Sequence, residues 1–120
     1  VLFRSVYEAR LPRTALEKTL AHLWAEVLQV DRVSLDDNFF ELGGHSLLAM
    51  RVAFRIQELL QVEAPVRLFY ENHTLADFAA AIAAYAGQKQ ALERVASLVL
   101  RVADLSDKQA LSEEWHDEEQ

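Results

Sequence analysis

The run Asp-Asn-Phe-Phe-Glu-Leu-Gly-Gly-His-Ser-Leu, from Asp37 to Leu47, concentrates the chain's clearest chemistry. It sets the hydroxyl of Ser46 just behind Gly43 and Gly44, at the start of a predicted helix. A helix start offers unpaired backbone N–H groups and the positive end of the helix dipole. A phosphate is therefore tolerated near Ser46. The two glycines remove side-chain bulk, so a large group or another protein can approach. Such a serine is well placed to carry a phosphodiester. Serine is also a standard helix N-cap, and on local chemistry alone that plainer role is the stronger reading.

Other chemistries fit the residues less well. Gly44 to Leu48 matches only the first half of a nucleophile elbow: a leucine replaces the second glycine, and no strand is predicted before it. A phosphate loop at Gly43–Ser46 lacks the lysine that motif requires. His45 neighbours Ser46 in sequence, but adjacent residues at a helix start point in different directions, which disfavours a Ser–His catalytic pair. His22, His45, His73 and His116 show no metal-ligand spacing. Arg51 and Arg55, one and two turns after Ser46, lie on a face predicted to be wet; they are candidates for a partner surface.

The elements that must position Ser46 are legible as helices. Thr14-Ala-Leu-Glu17 is a capping-box pattern, and Leu16, Leu20, Leu23, Val27 and Leu28 form one apolar face reaching roughly Gln29. Trp24 is expected at the edge of that core. Residues 30 to 45 have no helical period; turn formers alternate with Phe39, Phe40 and Leu42, which should pin a long loop onto the core. A second helix is predicted from Ser46 to about Gln61, burying Leu48, Val52, Ile56 and Leu59 or Leu60. Pro65 ends it, and Val66 to Tyr70 is expected as a short turn or helix. Thr74-Leu-Ala-Asp77 caps an alanine-rich helix ending near Gly87, with Leu75, Phe78, Ala79 and Ile82 inward. Residues 88 to 103 carry an amphipathic stripe, Leu92, Val95, Leu98, Val99 and Val102, and Ser106 to Gln109 reads as the cap of one more short helix. No segment alternates as a strand does. The predicted fold class is all-α: a four-helix bundle with a long first loop and an appended C-terminal helix. The predicted division is an N-terminal linker at 1–13, a bundle domain at 14–87, and a helical extension with an acidic tail at 88–120.

Composition bounds the function. The 120 residues suffice for one core, and the chain begins at Val1 without a Met, as a piece of a longer polypeptide would. There is no cysteine, which excludes disulfides, thiolate metal sites and a cysteine nucleophile. The net charge of -7 disfavours nucleic-acid phosphates as partners. That charge is uneven: residues 104–120 hold seven acids and one base, leaving the rest nearly neutral. The tail reads as a solvated end or, less simply, as a segment docking on another polypeptide. No apolar run has the length of a membrane span, and no signal peptide is evident, so no membrane partner and a cytoplasmic location are expected.

The Asp37–Leu47 run closely resembles the phosphopantetheine attachment motif of peptidyl carrier (thiolation) domains of non-ribosomal peptide synthetases. That family reads Asp-x-Phe-Phe-x-Leu-Gly-Gly-(His/Asp)-Ser-(Leu/Ile), and every fixed position matches. Tyr7-Glu-Ala and Pro12-Arg-Thr14 resemble the linker arriving from an adenylation domain, although Arg10-Leu11 departs from its spacing. Leu23 to Leu28, Pro65 to Phe69 and Thr74 to Asp77 resemble the family's first, third and fourth helices. The resemblance implies a four-helix carrier fold. It implies that Ser46, with Gly44 and His45 beside it, accepts 4′-phosphopantetheine from coenzyme A through a separate Mg²⁺-dependent transferase. The arm's thiol then holds aminoacyl or peptidyl groups as thioesters for adenylation, condensation and thioesterase or release domains, and the carrier itself catalyses nothing. Leu47, Met50, Arg51 and Phe69 are the expected partner-facing residues. His45 before Ser46, with Arg51 and Arg55 on the second helix, favours a peptidyl carrier over an acyl carrier of a polyketide or hybrid assembly line. A small serine hydrolase using Ser46 and His45, and a plain helical interaction domain, are the competing classes.

Overall fold

The computed structural model describes residues 10–103. Thr14 opens α1 (Ala15–Leu28) with reciprocal bonds: the Glu17 N–H donates to Thr14 Oγ1 at 3.1 Å, and Glu17 Oε1 accepts from the Thr14 N–H at 3.1 Å and the Arg13 N–H at 3.0 Å. The helix stops where Gln29 turns left-handed, φ 58°. The second helix, α2 (Ser46–Leu60), stops the same way at Gln61, φ 60°. Next come the five-residue α3 (Arg67–Glu71) and α4 (Leu75–Ala86). Thr74 Oγ1 caps α4 by accepting from the Asp77 N–H at 3.2 Å, and Gly87 closes it at φ 73°. Residues 89–103 form α5. Among the described residues there is no strand, only an isolated bridge between Asn38 and Thr74.

The helix α1 packs on both α2 and α4, and α3 packs on α4. Double contact explains a correction to the sequence reading. Trp24 is not at the edge of the core but at its centre, fully buried, because α1 is covered on two sides rather than one. Its ring lies 5.0 Å from Phe39, 5.5 Å from Phe78 and 6.4 Å from Phe69, centroid to centroid. Phe69 and Phe78 close the cluster at 4.4 Å. Pairs of this kind each contribute about 0.5–1.5 kcal/mol beyond the apolar area they bury. The Trp24 indole N–H finds no oxygen or nitrogen partner among the described residues; aromatic rings surround it instead.

Residues 30–45 are tied down by buried side chains and backbone hydrogen bonds. Val33, Leu35 and Phe39 are buried. Backbone bonds tie this loop to its neighbours: the Leu35 N–H to the Arg10 carbonyl at 2.7 Å, Phe39 to His73 at 3.1 Å, Leu75 to Asp37 at 3.1 Å and Ala76 to Leu35 at 2.9 Å. The loop therefore spans the start of α4, using α4's own free N–H groups as anchors. The Arg10 guanidinium clamps the Asp36 carboxylate at 2.6 and 2.9 Å, which lowers the Asp36 pKa through that hydrogen bond. Both side chains are exposed, so the pair orients the incoming chain more than it stabilises it.

The amphipathic segment after Gly87 docks on its own bundle. Leu92 and Ala96 are buried, and Glu93 Oε1 accepts from the Leu16 N–H at 2.9 Å. That carboxylate satisfies a free N–H of the first turn of α1, where the helix dipole favours negative charge. Leu98 and Val102, further along, are exposed. The expected cap at Ser106–Gln109, the acidic tail and Tyr7–Ala9 lie outside the described residues.

Two outcomes follow from this packing. Leu92→Ala should lower the unfolding free energy by about 2–4 kcal/mol in denaturant titration, the range for a buried leucine. A helix that merely trailed from the bundle would show no loss. The second concerns Glu17. Partial burial pushes its carboxyl up, but the Thr14 and Arg13 N–H bonds outweigh that and leave it below its ordinary 4.5. A carboxyl with a depressed folded-state pKa contributes stability that is complete above the unfolded value and drains as pH falls through the folded one. Thermal melts from pH 7 to 3 should show the gap between wild type and Glu17→Ala narrowing below pH 4.5.

Candidate functional site

The turn before α2 is built from the inside outward. Asn38 Oδ1 accepts from the Phe40 and Glu41 N–H groups at 2.9 and 3.2 Å, which starts the turn. The Leu42 N–H reaches the Asn38 carbonyl at 3.1 Å, Gly43 reaches Phe40 at 3.1 Å, and Gly44 reaches Phe39 at 3.0 Å. Gly43 has φ 103°, a left-handed conformation that a side chain would strain. Gly44 is a glycine for a different reason. A Cβ there would lie 2.6 Å from the Phe39 carbonyl oxygen and closer still to the Phe39 ring. The two glycines thus serve the fold first: one makes the turn, the other lets it close over a core aromatic.

Because Gly44 is seated on Phe39, the chain leaves it extended. His45 has φ -152° and ψ 179° and takes the N-cap position without a side-chain hydrogen bond. Ser46 is the first residue inside the helix, so it is not the cap that local chemistry predicted. Its hydroxyl is exposed and free of capping duty. The first helical bond is the Ala49 N–H to the His45 carbonyl, 2.9 Å. No acid lies in the first turn of α2. Open space surrounds Gly43, an uncapped helix end faces the solvent, and there is no negative side chain in that turn to repel a phosphate. These features fit a phosphodiester on Ser46.

One further side chain touches the serine. The Tyr70 hydroxyl hydrogen-bonds Ser46 Oγ, and the Tyr70 ring stacks on Phe40 with centroids 5.0 Å apart and planes 27° apart. Residues from α3 and from the loop thereby meet at the start of α2. The sequence reading missed Tyr70. Its signal was the Phe69-Tyr70 pair itself: of two adjacent aromatics on a short helix, the one with a hydroxyl is the one to face water.

The expected partner-facing residues separate. Leu47 and Met50 are 62% and 56% exposed, and Arg51 is exposed with no ionic partner among the described residues. Phe69 is the correction. It is fully buried against Phe39 and Phe78, centroids 5.0 and 4.4 Å away, and cannot meet a partner without leaving the core. Phe54, not singled out from the sequence, is 67% exposed on α2. Arg55 lies between Glu26 at 3.5 Å and Glu58 at 3.4 Å, so part of its charge is matched within the domain.

The other chemistries find no support in this geometry. Among the described residues, no histidine or carboxylate hydrogen-bonds Ser46, whose side-chain partner is a phenol. His73 Nε2 contacts the Tyr70 carbonyl at 2.7 Å instead. No group of three or more His, Cys, Asp or Glu capable of holding a metal occurs among the described residues. None of their helices is long and apolar enough to cross a membrane.

A helical bundle with an exposed serine behind a double-glycine turn is consistent with the carrier resemblance of the sequence, and comparison with known proteins shows the family. Residues 18–82 match the family described as phosphopantetheine attachment site, and the chain belongs to that family. The dimodular nonribosomal peptide synthase of Bacillus subtilis is 46% identical over 78 residues, 65% of this chain and 3% of that protein. Phosphinothricin tripeptide synthetase PhsB of Streptomyces viridochromogenes is 43% identical over 105 residues, 86% of this chain and 9% of that protein. The chain therefore spans a small fraction of these relatives' length. Among solved structures, the complex of the phosphopantetheine transferase Sfp with coenzyme A and a peptidyl carrier protein matches with a TM-score of 0.60 at 37% identity, over 62% of this chain and 97% of that one. The chain is a carrier domain of the non-ribosomal peptide synthetase type, and its cofactor is 4′-phosphopantetheine.

Proposed function

We propose that Ser46 is the attachment residue and that the loaded arm tethers aminoacyl or peptidyl thioesters within a peptide-assembling synthetase. The observation that carries this reading is the placement of the two serines inside the family match. Ser34 is half-buried in a turn, its N–H bonded to Asp37 Oδ2 at 2.8 Å, whereas Ser46 is exposed at the bare start of α2. In the loading step, Ser46 Oγ attacks the diphosphate phosphorus that bears the pantetheine. The bond to the adenosine 3′,5′-bisphosphate half of coenzyme A breaks, and the serine proton passes to the visiting transferase. No general base of this chain stands beside the hydroxyl among the described residues, which suits a substrate of another enzyme rather than a catalyst. When bound, the arm supplies a thiol that the chain, with no cysteine, does not encode. Tethering keeps the thioester at high local concentration near each partner active site.

The adenylation, condensation, thioesterase or release domains and the transferase all have to reach Ser46. Leu47, Met50 and Arg51 beside it are our assigned partner contacts, with Gly44 and His45 framing the attachment point. A groove of about 460 Å³ continues this surface and is lined by Met50, Phe54, Pro65, Val66 and Tyr85. An exposed methionine adapts to several partners, and a modest apolar surface suits brief contacts. We place the carrier unit at residues 14–87, with α5 as an extension docked on it.

Incubation with coenzyme A, Mg²⁺ and a promiscuous phosphopantetheinyl transferase should add the mass of one arm to the intact protein. The loaded chain should then take one maleimide and the unloaded chain none. Ser46→Ala should gain neither. An unchanged wild-type mass, with a transferase active on a control carrier, would reject the assignment.

A further inference from the structure

Tyr70 is not needed to explain why Ser46 is exposed, yet three independent features fix its hydroxyl there. Its neighbours Leu68 and Phe69 are buried, which sets the face of α3 that Tyr70 presents. Its ring lies against Phe40, and Phe40 is itself packed edge-on to the core ring of Phe39, centroids 5.5 Å apart. Side-chain contacts along α3 and at its C-terminal end also secure it. Arg67 pairs with Glu71 at 3.0 Å, Asn72 Nδ2 donates to the Leu68 carbonyl at 3.1 Å, and His73 contacts the Tyr70 carbonyl at 2.7 Å. A five-residue helix has little stability of its own, so the burial of Leu68 and Phe69, the Phe40 stack and these bonds together hold the phenol in place.

We propose that the Tyr70 hydroxyl is the positioning group of the attachment site. In the unloaded chain it holds Ser46 Oγ. In the loaded chain it donates to a non-bridging oxygen of the phosphodiester and so fixes the root of the arm on the α3 side. This inference rests on Ser46 being the attachment residue. The physical reason for the exchange is acceptor strength: a phosphodiester oxygen carries negative charge, and a charge-assisted hydrogen bond is roughly twice as strong as one between neutral groups. The serine oxygen becomes an ester oxygen on loading and loses its proton. It can then no longer donate, so the phenol must be the donor, and the charged non-bridging oxygens are stronger acceptors than the ester oxygen. The stack on Phe40 has already restricted the ring, so little rotamer freedom remains to be lost.

Phosphorus-31 NMR of the loaded protein tests this. Tyr70→Phe keeps the ring and its stack and removes only the hydroxyl. Its ³¹P resonance should be displaced from that of wild type by more than the line width. Ser97→Ala, which removes an exposed hydroxyl from α5, should leave the resonance in place. Phe40→Leu, which keeps the hydroxyl but removes its support, should displace the resonance in the same direction as Tyr70→Phe. Coincident ³¹P resonances in wild type and Tyr70→Phe, both carrying the arm by intact mass, would overturn the proposal alone. A wild type that accepts no arm would overturn it together with the Ser46 assignment.

Discussion

The ring of Phe39 lies between the core and the site, and both depend on it. On one side it meets Trp24 and Phe69, each 5.0 Å away between centroids. On the other it presses against Gly44, where a side chain has no room. One aromatic residue therefore converts core packing into the position of a turn. That turn fixes His45 in extended backbone and makes Ser46 the first residue of α2. The hydroxyl stands clear of the helix cap because the glycine before it is held down. Phe40, next in the chain, turns the other way and supports Tyr70. The Phe39-Phe40 pair thus divides its labour: one ring anchors the turn and the other arranges what touches the serine.

The electrostatics around this site are mild. Two other helix starts are satisfied by side chains: α1 by Thr14, Glu17 and Glu93, and α4 by Thr74. The start of α2 has neither a side-chain cap nor an acid. A free helix start is a favourable setting for an anion, as the proposed attachment at Ser46 would place there. The short α3 also starts without a side-chain cap, so what distinguishes the start of α2 is its contrast with α1 and α4 together with the exposed hydroxyl it carries.

Much of this is legible in the residues. Threonines followed three positions later by an acid mark the starts of α1 and α4, because the cap is a local interaction between near neighbours. The Asp37–Leu47 run locates the serine and its turn. Three points escape the sequence for physical reasons. Trp24 is misplaced because a one-face pattern does not show that α1 is covered from two sides. Periodicity does not tell Phe69 and Tyr70 apart, because α3 has barely more than one turn, and only the Tyr70 hydroxyl marks which ring faces water. Ser46 reads locally as a cap because the contact that seats Gly44 on Phe39 joins residues five apart through a turn, and no propensity encodes it.

The role given to Phe39 and Gly44 predicts the sign of a single stability measurement. Gly44 does not have the positive φ of Gly43, so alanine there would ordinarily stabilise the chain by about 0.4–1 kcal/mol through reduced unfolded-state entropy. If Gly44 is a glycine because Phe39 fills its side-chain space, Gly44→Ala must push on the core. Denaturant unfolding should then show a loss of about 1–3 kcal/mol, the usual cost of overpacking. Equal or greater stability of Gly44→Ala would contradict the account, since the turn could then hold Ser46 in place without resting on the core.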